Sequence, residues 1–547
     1  MHRRHFLRQG AAGLAGLSTM DFLGYFFRFG LPYESRAFGM ADDLAAEQEP
    51  SFLIYWFLEG GWEGYDMFNP VVTPNNVIHR LENPSDERYR VLKFGEDGYR
   101  IQTKGNIRYG YLAEQGKDLF PDMAVLSSMH TGSFHSGERL MAHMGSYNLR
   151  LTADREDDER SVMQAFAEAK GQSFLLPNLS WHRWLSDGEL NEAQYTGRKG
   201  YYHALGPAHA HTVYAGTPAM LRRTLQRIRA SANDVVNARV QEFLDTTRAT
   251  ILDDHNVEAV KSYNSARQIY QNLTTAGRKL DGKLIAGLFN DPELKARFRV
   301  KPEDELISYR SVNGNKARSK FSPNTNVQAM MAFELIRAGL GCGFWIESRD
   351  IRKFDSHLNR GKLWKDGRPV GQIDQTAMMN ADLWEPLNTL VACLKETPLG
   401  HTGKSLWDRT TIVLTSEFGR TIHGDVEAIR KMKLSDEDKQ AMIDGQDISQ
   451  HWKVTSAAFL GGTVRGNRQY GGVGEHTLLA IPILPDGSLD PAYCPVTGEL
   501  LEGCQKHPKS FLPNHGDVYA TALLLAGVDP KGKGRNDRPP LEFIKKS

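Results

Sequence analysis

Short apolar runs recur along this 547-residue chain, and each is followed by glycine or polar residues. The runs are rich in aromatic and β-branched residues, which is typical of strands that are buried on both faces of a sheet. They occupy residues 51–58, 124–129, 343–346, 410–415 and 454–460. We therefore predict an α/β protein whose first strand is 51–58 and whose later strands are separated by long connections.

Helical periodicity fills much of the chain between these runs. Helices are predicted at 326–339, 380–395 and 519–526, the first of them ending at a glycine. Residues 217–298 carry long charged stretches that are typical of solvated helix faces, so they are predicted to be a helical insertion. Alternating strands and helices predict a mostly parallel sheet that is covered by helices on both faces. Residues 424–450 and 475–513 are predicted to be loop insertions.

The amino terminus resembles a twin-arginine export signal. Arg3 and Arg4 are followed closely by Phe6 and Leu7, and then by a stretch rich in glycine and alanine. A basic amphipathic first helix is the alternative. Charged residues interrupt the apolar stretch, so it is a poor permanent membrane span. We expect cleavage after residue 41, which leaves 42–547 as one exported α/β domain without a stable membrane span. The twin-arginine translocase is then a partner during export, and the location is periplasmic or extracellular.

Composition and charge narrow the function classes. Hydrophobic residues make up 40% of the chain, charged residues 24%, and the net charge is +1, so nothing indicates a nucleic-acid partner. None of the four cysteines forms a CxxC pair, and no GxGxxG follows a strand, which argues against zinc-knuckle, thioredoxin and dinucleotide-binding proteins. Cys494 and Cys504 bracket a turn-rich segment and could form a disulfide in an oxidising compartment.

Polar residues with metal-binding chemistry follow the predicted strands. In open α/β sheets, ligands bind at the carboxyl ends of the strands. The residues placed there are Asp66 after the first strand, Asp355 and His357 after the third, and Glu417 after the fourth. His451 precedes its strand, so it needs a returning loop to reach the same edge. Carboxylates and imidazoles suit Zn²⁺, Mn²⁺ or Fe, while an all-oxygen site would suit Mg²⁺ or Ca²⁺.

Each of these residues also has an ordinary structural explanation. Asp355 and His357 could be a solvated pair in a polar loop, and Glu417 could cap a helix. His451 could be a core imidazole beside Trp452, and Arg420 could pair with a surface carboxylate. Their shared placement after strands is what favours a metal site. The loop HTGSFHSG adds to this, because it leads from a strand into a helix, whose amino terminus favours anions.

Six segments in order carry a family resemblance. They are EGGWEGYDMFNP, SSMHTGSFHSG, FDSHLNR, TIVLTSEFGRT, HWKVTSAAFLGGTVRG and DVYATALLLAGV. Their order resembles the bacterial domain-of-unknown-function family 1501, a group of twin-arginine-exported proteins related to the alkaline phosphatase and sulfatase superfamily. The resemblance runs from the signal to the late helix, and it implies an alkaline phosphatase/sulfatase-like fold.

The resemblance also implies a chemistry. Its metal-ligand candidates are Asp66, Asp355, His357, Glu417, Asp447 and His451, and the implied metal is a divalent ion such as Zn, Mn, Ca or Mg. Thr131, Ser133 and Ser136 are the candidate nucleophiles, and Arg420 would stabilise charge on the transferred group. The implied function is an exported, metal-dependent hydrolase of phosphate or sulfate esters, with a small-molecule or glycan ester as substrate.

Two departures from the family pattern keep an alternative open. Phe418 stands where the superfamily has a metal-binding histidine, and Gln450 stands where the family has an aspartate directly before the His-Trp pair. Asp447 lies three residues before Gln450. These losses are compatible with one metal ion in place of two. They are also compatible with a catalytically degenerate, sulfatase-like protein that acts as a binding or assembly component.

Overall fold

The computed structural model describes the following residues: 49–58, 60–62, 64, 67–70, 101–133, 135–145, 161–171, 174–181, 212–214, 216–231, 280–305, 309–310, 318–319, 323–348, 362–363, 369–370, 379–420, 435–436, 439, 451–475, 477–531 and 538–546. The predicted signal (1–41) and most of the predicted insertion 424–450 lie outside them, as do Asp66, Asp355, His357 and Asp447.

Eight strands within these ranges form one central sheet. In chain order they are β1 (Phe52–Leu58), β2 (Met123–His130), β3 (Asn178–Ser180), β4 (Thr212–Tyr214), β5 (Gly343–Ser348), β6 (Thr410–Ser416), β7 (Val454–Gly461) and β8 (Arg468–Tyr470). Their order across the sheet is β8-β2-β7-β6-β1-β5-β3-β4. Every residue of β1 is buried, as expected for a central strand with helices on both faces.

Most neighbouring strands in this sheet run parallel. β1 pairs in parallel with β5 and β6, so that Leu58 lies opposite both Ser348 and Ser416. β7 is the exception, because it runs antiparallel to both β6 and β2. As a result, the ends of β2, β6, β1 and β5 and the beginning of β7 meet at one edge, which we call the site edge.

Eight α-helices are described around the sheet. They are α1 (His135–Met144), α2 (Val162–Lys170), α3 (Pro218–Ser231), α4 (Gly282–Gly287), α5 (Pro292–Arg297), α6 (Thr325–Arg337), α7 (Glu385–Glu396) and α8 (His515–Leu525). Short 3₁₀ helices cover Tyr111–Asp122, Pro302–Glu305, Leu406–Arg409 and Glu542–Ile544, and a π-helical turn covers Asn380–Trp384. Two-stranded hairpins pair Gln102–Lys104 with Ile107–Tyr109, Tyr309–Arg310 with Arg318–Ser319, Lys362–Leu363 with Pro369–Val370, Gly419–Arg420 with His451–Trp452, and Gly472–Val473 with Ala480–Ile481.

Aromatic stacking fixes α1 on the sheet. Tyr55 and Trp345 are cross-strand partners on β1 and β5, and their rings stack with centroids 4.4 Å apart. The ring of His143, near the end of α1, stacks on Trp345 at 3.7 Å. A stacked pair of aromatic rings such as Tyr55 and Trp345 adds about 0.5–1.5 kcal/mol to the burial of the rings. α8 also packs against α1. The helix that follows the HTGSFHSG loop is therefore held on both sides.

The predicted mostly parallel α/β sheet with covering helices is confirmed. Parts of the predicted insertion 217–298 are helical, namely α3, α4 and α5. The expectation that His451 needs a returning loop was wrong, because the antiparallel direction of β7 places its first residue at the site edge. α1 begins at His135, so the last three residues of the predicted loop, 135–137, belong to its first turn.

Two further expectations concern the cysteines and the membrane. All four cysteines are free thiols in this structure, so Cys494 and Cys504 are not bridged. Within the described part of the chain, none of the helices has both the length and the apolar character that a bilayer span requires.

Candidate functional site

A serine at the end of β6 ties three segments of the site edge together. The hydroxyl of Ser416 donates to the carbonyl of Leu58 at 2.5 Å and accepts from the backbone N–H of Trp62 at 3.0 Å. The indole N–H of Trp62 donates in turn to the hydroxyl of Thr455 on β7 at 2.7 Å. All four residues are buried. The turn after β1, which leads towards Asp66, is therefore fixed to both β6 and β7.

This turn depends on two glycines. Gly60 and Gly61 have φ angles of 112° and 82°, in the region that side chains disfavour. A Cβ atom on Gly61 would lie 2.4 Å from the ring of Phe418, so the ring occupies the space of a side chain. Phe418 is the residue that departs from the superfamily pattern, and here its ring packs against the turn at Gly61.

Arg420 donates hydrogen bonds to both glycines of the same turn. Its Nε donates to the carbonyl of Gly61 at 3.1 Å, and one terminal nitrogen donates to the carbonyl of Gly60. The guanidinium carbon lies 5.4 Å from the centroid of the Phe418 ring, and the side chain is fully buried. These contacts give Arg420 a structural role in holding the Gly60–Gly61 turn.

Glu417 is buried beside helix α1. Its carboxylate pairs with Nε of Arg139, in the first half of α1. The backbone carbonyl of Glu417 accepts a hydrogen bond from Nε2 of His515 at 2.9 Å, at the start of α8. The same Nε2 atom lies 3.9 Å from a carboxylate oxygen of Glu138. Glu417 therefore joins the end of β6 to the beginnings of two helices.

His515 is neutral in this environment. Burial lowers its pKa to about 4, against the opposing effect of the hydrogen bond to Glu417 and of the Glu417 charge. Because the acceptor at Nε2 is a carbonyl, Nε2 carries the proton. Its Nδ1 has no hydrogen-bond partner among the described atoms.

His451 lies on the surface of this arrangement. It pairs with Arg420 in a short hairpin, and its ring lies 4.2 Å from that of Phe418. Its Nδ1 is 2.7 Å from the backbone carbonyl of Ser133. Since a carbonyl only accepts, Nδ1 carries the proton and Nε2 is the nitrogen with the lone pair. A histidine that donates one N–H to a carbonyl has the arrangement of a typical metal-binding histidine.

The candidate nucleophiles differ in their surroundings. Thr131 is 4% exposed, and its hydroxyl donates to the carbonyl of Gly132 at 3.0 Å. Its backbone N–H donates to the carbonyl of Lys453 at 2.7 Å, which ties the loop to the segment before β7. Ser133 is exposed. Ser136 lies in the first turn of α1, where the structure describes only its backbone. Burial and the charge of Lys453 lower the pKa of His130, at the end of β2.

The structure thus brings five of the predicted residues to the site edge. They are Thr131, Ser133, Glu417, Arg420 and His451. Where the chain is described, no three His, Cys, Asp or Glu side chains gather in a way that could hold a metal ion. The metal-ligand predictions for Asp66, Asp355, His357 and Asp447 fall outside that part and stay predictions.

Sequence reasoning missed two residues at this site, Arg139 and His515. Arg139 follows the HTGSFHSG loop within the predicted helix, where charges usually mark a solvated face. His515 follows Asn514, whose side chain caps α8 by accepting from the backbone N–H of Gly516 at 2.8 Å. That helix-start signal was readable in the sequence, and it would have placed the histidine in the first turn of α8.

Comparison with known proteins adds the family. A family model described as "Protein of unknown function (DUF1501)" matches residues 51–479. The chain belongs to this family. None of the curated proteins is significantly similar to the chain.

Solved structures resemble this DUF1501 chain distantly. One of them is described as the crystal structure of PsFucS1 sulfatase from Pseudoalteromonas sp., with 13% sequence identity. The match covers 92% of this chain and 74% of that chain, with a TM-score of 0.34. The α/β fold of the DUF1501 chain follows from its own sheet.

Proposed function

We propose that this DUF1501 protein is an exported, metal-dependent hydrolase of phosphate or sulfate esters. The observation that supports the proposal most is the orientation of His451. The carbonyl of Ser133 holds its Nδ1–H, so Nε2 is the basic nitrogen at the site edge. β1 and β5 end at this same edge, and Asp66, Asp355 and His357 come within nine residues of their ends in the sequence.

The proposed metal site combines His451 with Asp66, Asp355, His357 and Asp447. Nitrogen and carboxylate ligands of this kind suit Zn²⁺ or Mn²⁺, and a site dominated by carboxylates suits Ca²⁺ or Mg²⁺. Such an ion, when bound, supplies positive charge that stabilises the transition state of the ester. Glu417 fits this ligand set less well than His451 does, because Arg139 already pairs with its carboxylate.

Ser133 is the best placed of the three candidate nucleophiles. It is exposed, and its carbonyl is the group that orients His451. Thr131 is buried, and its hydroxyl donates to a carbonyl. The first turn of α1 follows directly, and the unpaired N–H groups of a helix amino terminus stabilise a negatively charged ester group. We propose that the hydroxyl oxygen of Ser133, losing its proton to water, attacks the phosphorus or sulfur atom of a small-molecule or glycan ester that is held at this helix. The alcohol of the ester then leaves, and water hydrolyses the seryl ester to release phosphate or sulfate and restore the hydroxyl.

A second function is favoured by the packing of Phe418. Its apolar ring fills the space between Gly61 and His451, where the family resemblance leads one to expect a metal-binding histidine. A binding or assembly component on the same fold would not need a metal-binding histidine, so phenylalanine at this position would not impair its function. Such a protein would keep the buried contacts of the site edge but would bind no metal.

The two functions are separated by metal analysis and an activity screen on the purified, processed protein. Hydrolysis of an aryl phosphate and an aryl sulfate would be measured with Mn²⁺, Zn²⁺ or Ca²⁺ added. His451→Ala should lower both metal content and hydrolysis, while the control His401→Ala, at an exposed position, should change neither. Absence of both metal and hydrolysis in the parent protein would refute the hydrolase and leave the binding component.

Export is tested separately. Exchanging Arg3 and Arg4 for lysine should retain the protein in the cytoplasm, because the twin-arginine pathway depends on the arginine pair. Unchanged export of the Arg3→Lys, Arg4→Lys variant would rule out this route.

A further inference from the structure

We propose that Arg139, Glu417 and His515 are positioning residues that together set the orientation of His451. This inference rests on the role proposed for His451, and it also makes a structural claim that can be tested without any activity. None of the three residues needs to touch substrate. They would act through Phe418 and through the first turn of α1.

The first part of the argument is the burial of an ion pair. The side chain of Arg139 is 9% exposed and that of Glu417 is 0% exposed. The two residues are 278 positions apart in the chain. Removing two charges from water is costly, and removing only one member of a buried pair is strongly destabilising. The pair therefore forces α1 and the end of β6 to keep one mutual position.

The second part is the support from α8. Nε2 of His515 donates to the backbone carbonyl of Glu417, so the peptide between Glu417 and Phe418 is held as well as the side chain. α8 begins with a capping box in which the side chains of Asn514 and Asp517 cap the first turn. Arg538 pairs with Asp517 at 2.7 Å. The start of α8 is thus held by its capping side chains and by an ion pair, and His515 links it to the backbone of Glu417.

The third part is a closed ring of contacts around His451. Glu417 precedes Phe418, whose ring lies 4.2 Å from that of His451. His451 donates a hydrogen bond to the carbonyl of Ser133, which lies just before α1 in the sequence. Arg139 on α1 then pairs with Glu417. His451 is therefore held from two sides, and both sides lead back to the same buried ion pair. Loosening that pair should free the imidazole even though neither charge contacts it.

Hydrogen–deuterium exchange of the full-length protein tests the ring directly. Arg139→Met and Glu417→Gln should each speed amide exchange in 451–454 and in 130–137, while Arg139→Lys, which keeps the charge, should do so less. Phe418→Leu should speed exchange in 451–454 and leave α1 unchanged. The matched control is Glu396→Gln, which removes the same charge from the exposed pair with Arg297 and should leave both segments unchanged.

Metal binding and kinetics provide the second readout. If the parent protein binds Zn²⁺ or Mn²⁺, Arg139→Met should weaken that binding or lower kcat by about 10- to 100-fold, as is typical for residues that orient a metal ligand. Arg139→Lys should recover part of this loss. Loss of the metal in Glu417→Gln with parental exchange in 451–454 would make Glu417 a direct ligand and overturn the proposal.

The result of the exchange experiment can also be interpreted independently of the proposed function. If Arg139→Met speeds exchange only within α1 and leaves 417–420 and 451–454 as in the parent, the positioning role is refuted, whether or not the protein hydrolyses esters. If the parent neither binds metal nor hydrolyses esters but the exchange pattern is as expected, the hydrolase fails and the positioning unit remains.

Discussion

Burial of His515 should make the protein lose stability as the pH falls below neutral. Its pKa is about 4 in the folded protein and close to its ordinary value of 6.5 when the chain unfolds. The unfolded state therefore takes up a proton first, and the folded state loses its advantage as the pH falls from 6.5 towards 4. At 1.36 kcal/mol for each unit of pKa difference, the loss between pH 7.5 and 4 is about 3 kcal/mol.

The imidazole meets charged groups from two elements. Glu138 lies on α1, with a carboxylate oxygen 3.9 Å from Nε2, and Glu417, which pairs with Arg139, follows β6. The Glu417 carboxylate favours a charged imidazole, but burial outweighs this effect. The protein therefore loses stability as the pH falls, because the folded state keeps His515 neutral.

Urea unfolding at several pH values between 7.5 and 4 would measure this contribution. The comparison is between the parent and His515→Gln, because glutamine keeps an N–H donor for the carbonyl of Glu417 but does not titrate. Other titrating groups cancel in the difference between the two proteins. That difference in unfolding free energy should shift by about 3 kcal/mol in favour of the variant as the pH falls. Parallel pH profiles for the two proteins would refute the burial argument.

Three further outcomes follow from the packing. Gly61→Ala should lower the unfolding free energy by more than Gly339→Ala does, because both have positive φ but only Gly61 lacks room for a Cβ; equal urea midpoints would contradict this. Arg420→Met should destabilise by about 1–3 kcal/mol, as it leaves two buried carbonyls without their donor, and a loss of activity at parental stability would restore its catalytic role. A thiol reagent should label exposed Cys504 in the folded protein, whereas Cys342, whose pKa is raised by burial, should react only after unfolding; early labelling of Cys342 would disprove its burial.

The strands of this fold were predictable because their signal is local. Apolar and β-branched residues dominate the runs at 51–58, 124–129 and 410–415, which is the pattern expected of a strand that is covered on both faces. The same local pattern does not reveal direction. Residues 454–460 look like any other buried run, so the antiparallel course of β7 is visible only from its pairing with β2 and β6.

The buried contacts of the site were not predictable from the sequence. Arg139 pairs with Glu417 across 278 positions, and His515 reaches the carbonyl of Glu417 across 98. Charged residues near a helix start usually face solvent, so the local pattern favours the wrong environment for Arg139. Phe418 was recognised as a departure from the family pattern, but its contact with Gly61 required the fold.

The position of β7 also governs the order in which the sheet can be completed during synthesis. β2 and β6 are made first, and β7, the strand that joins them, is complete only once residue 461 has been added. Until then, both face solvent with an edge of unpaired backbone groups, which is the kind of edge that promotes aggregation. A chain released before residue 454 has been added would thus keep open edges on β2 and β6, whereas a chain released after residue 461 contains the strand that pairs with both.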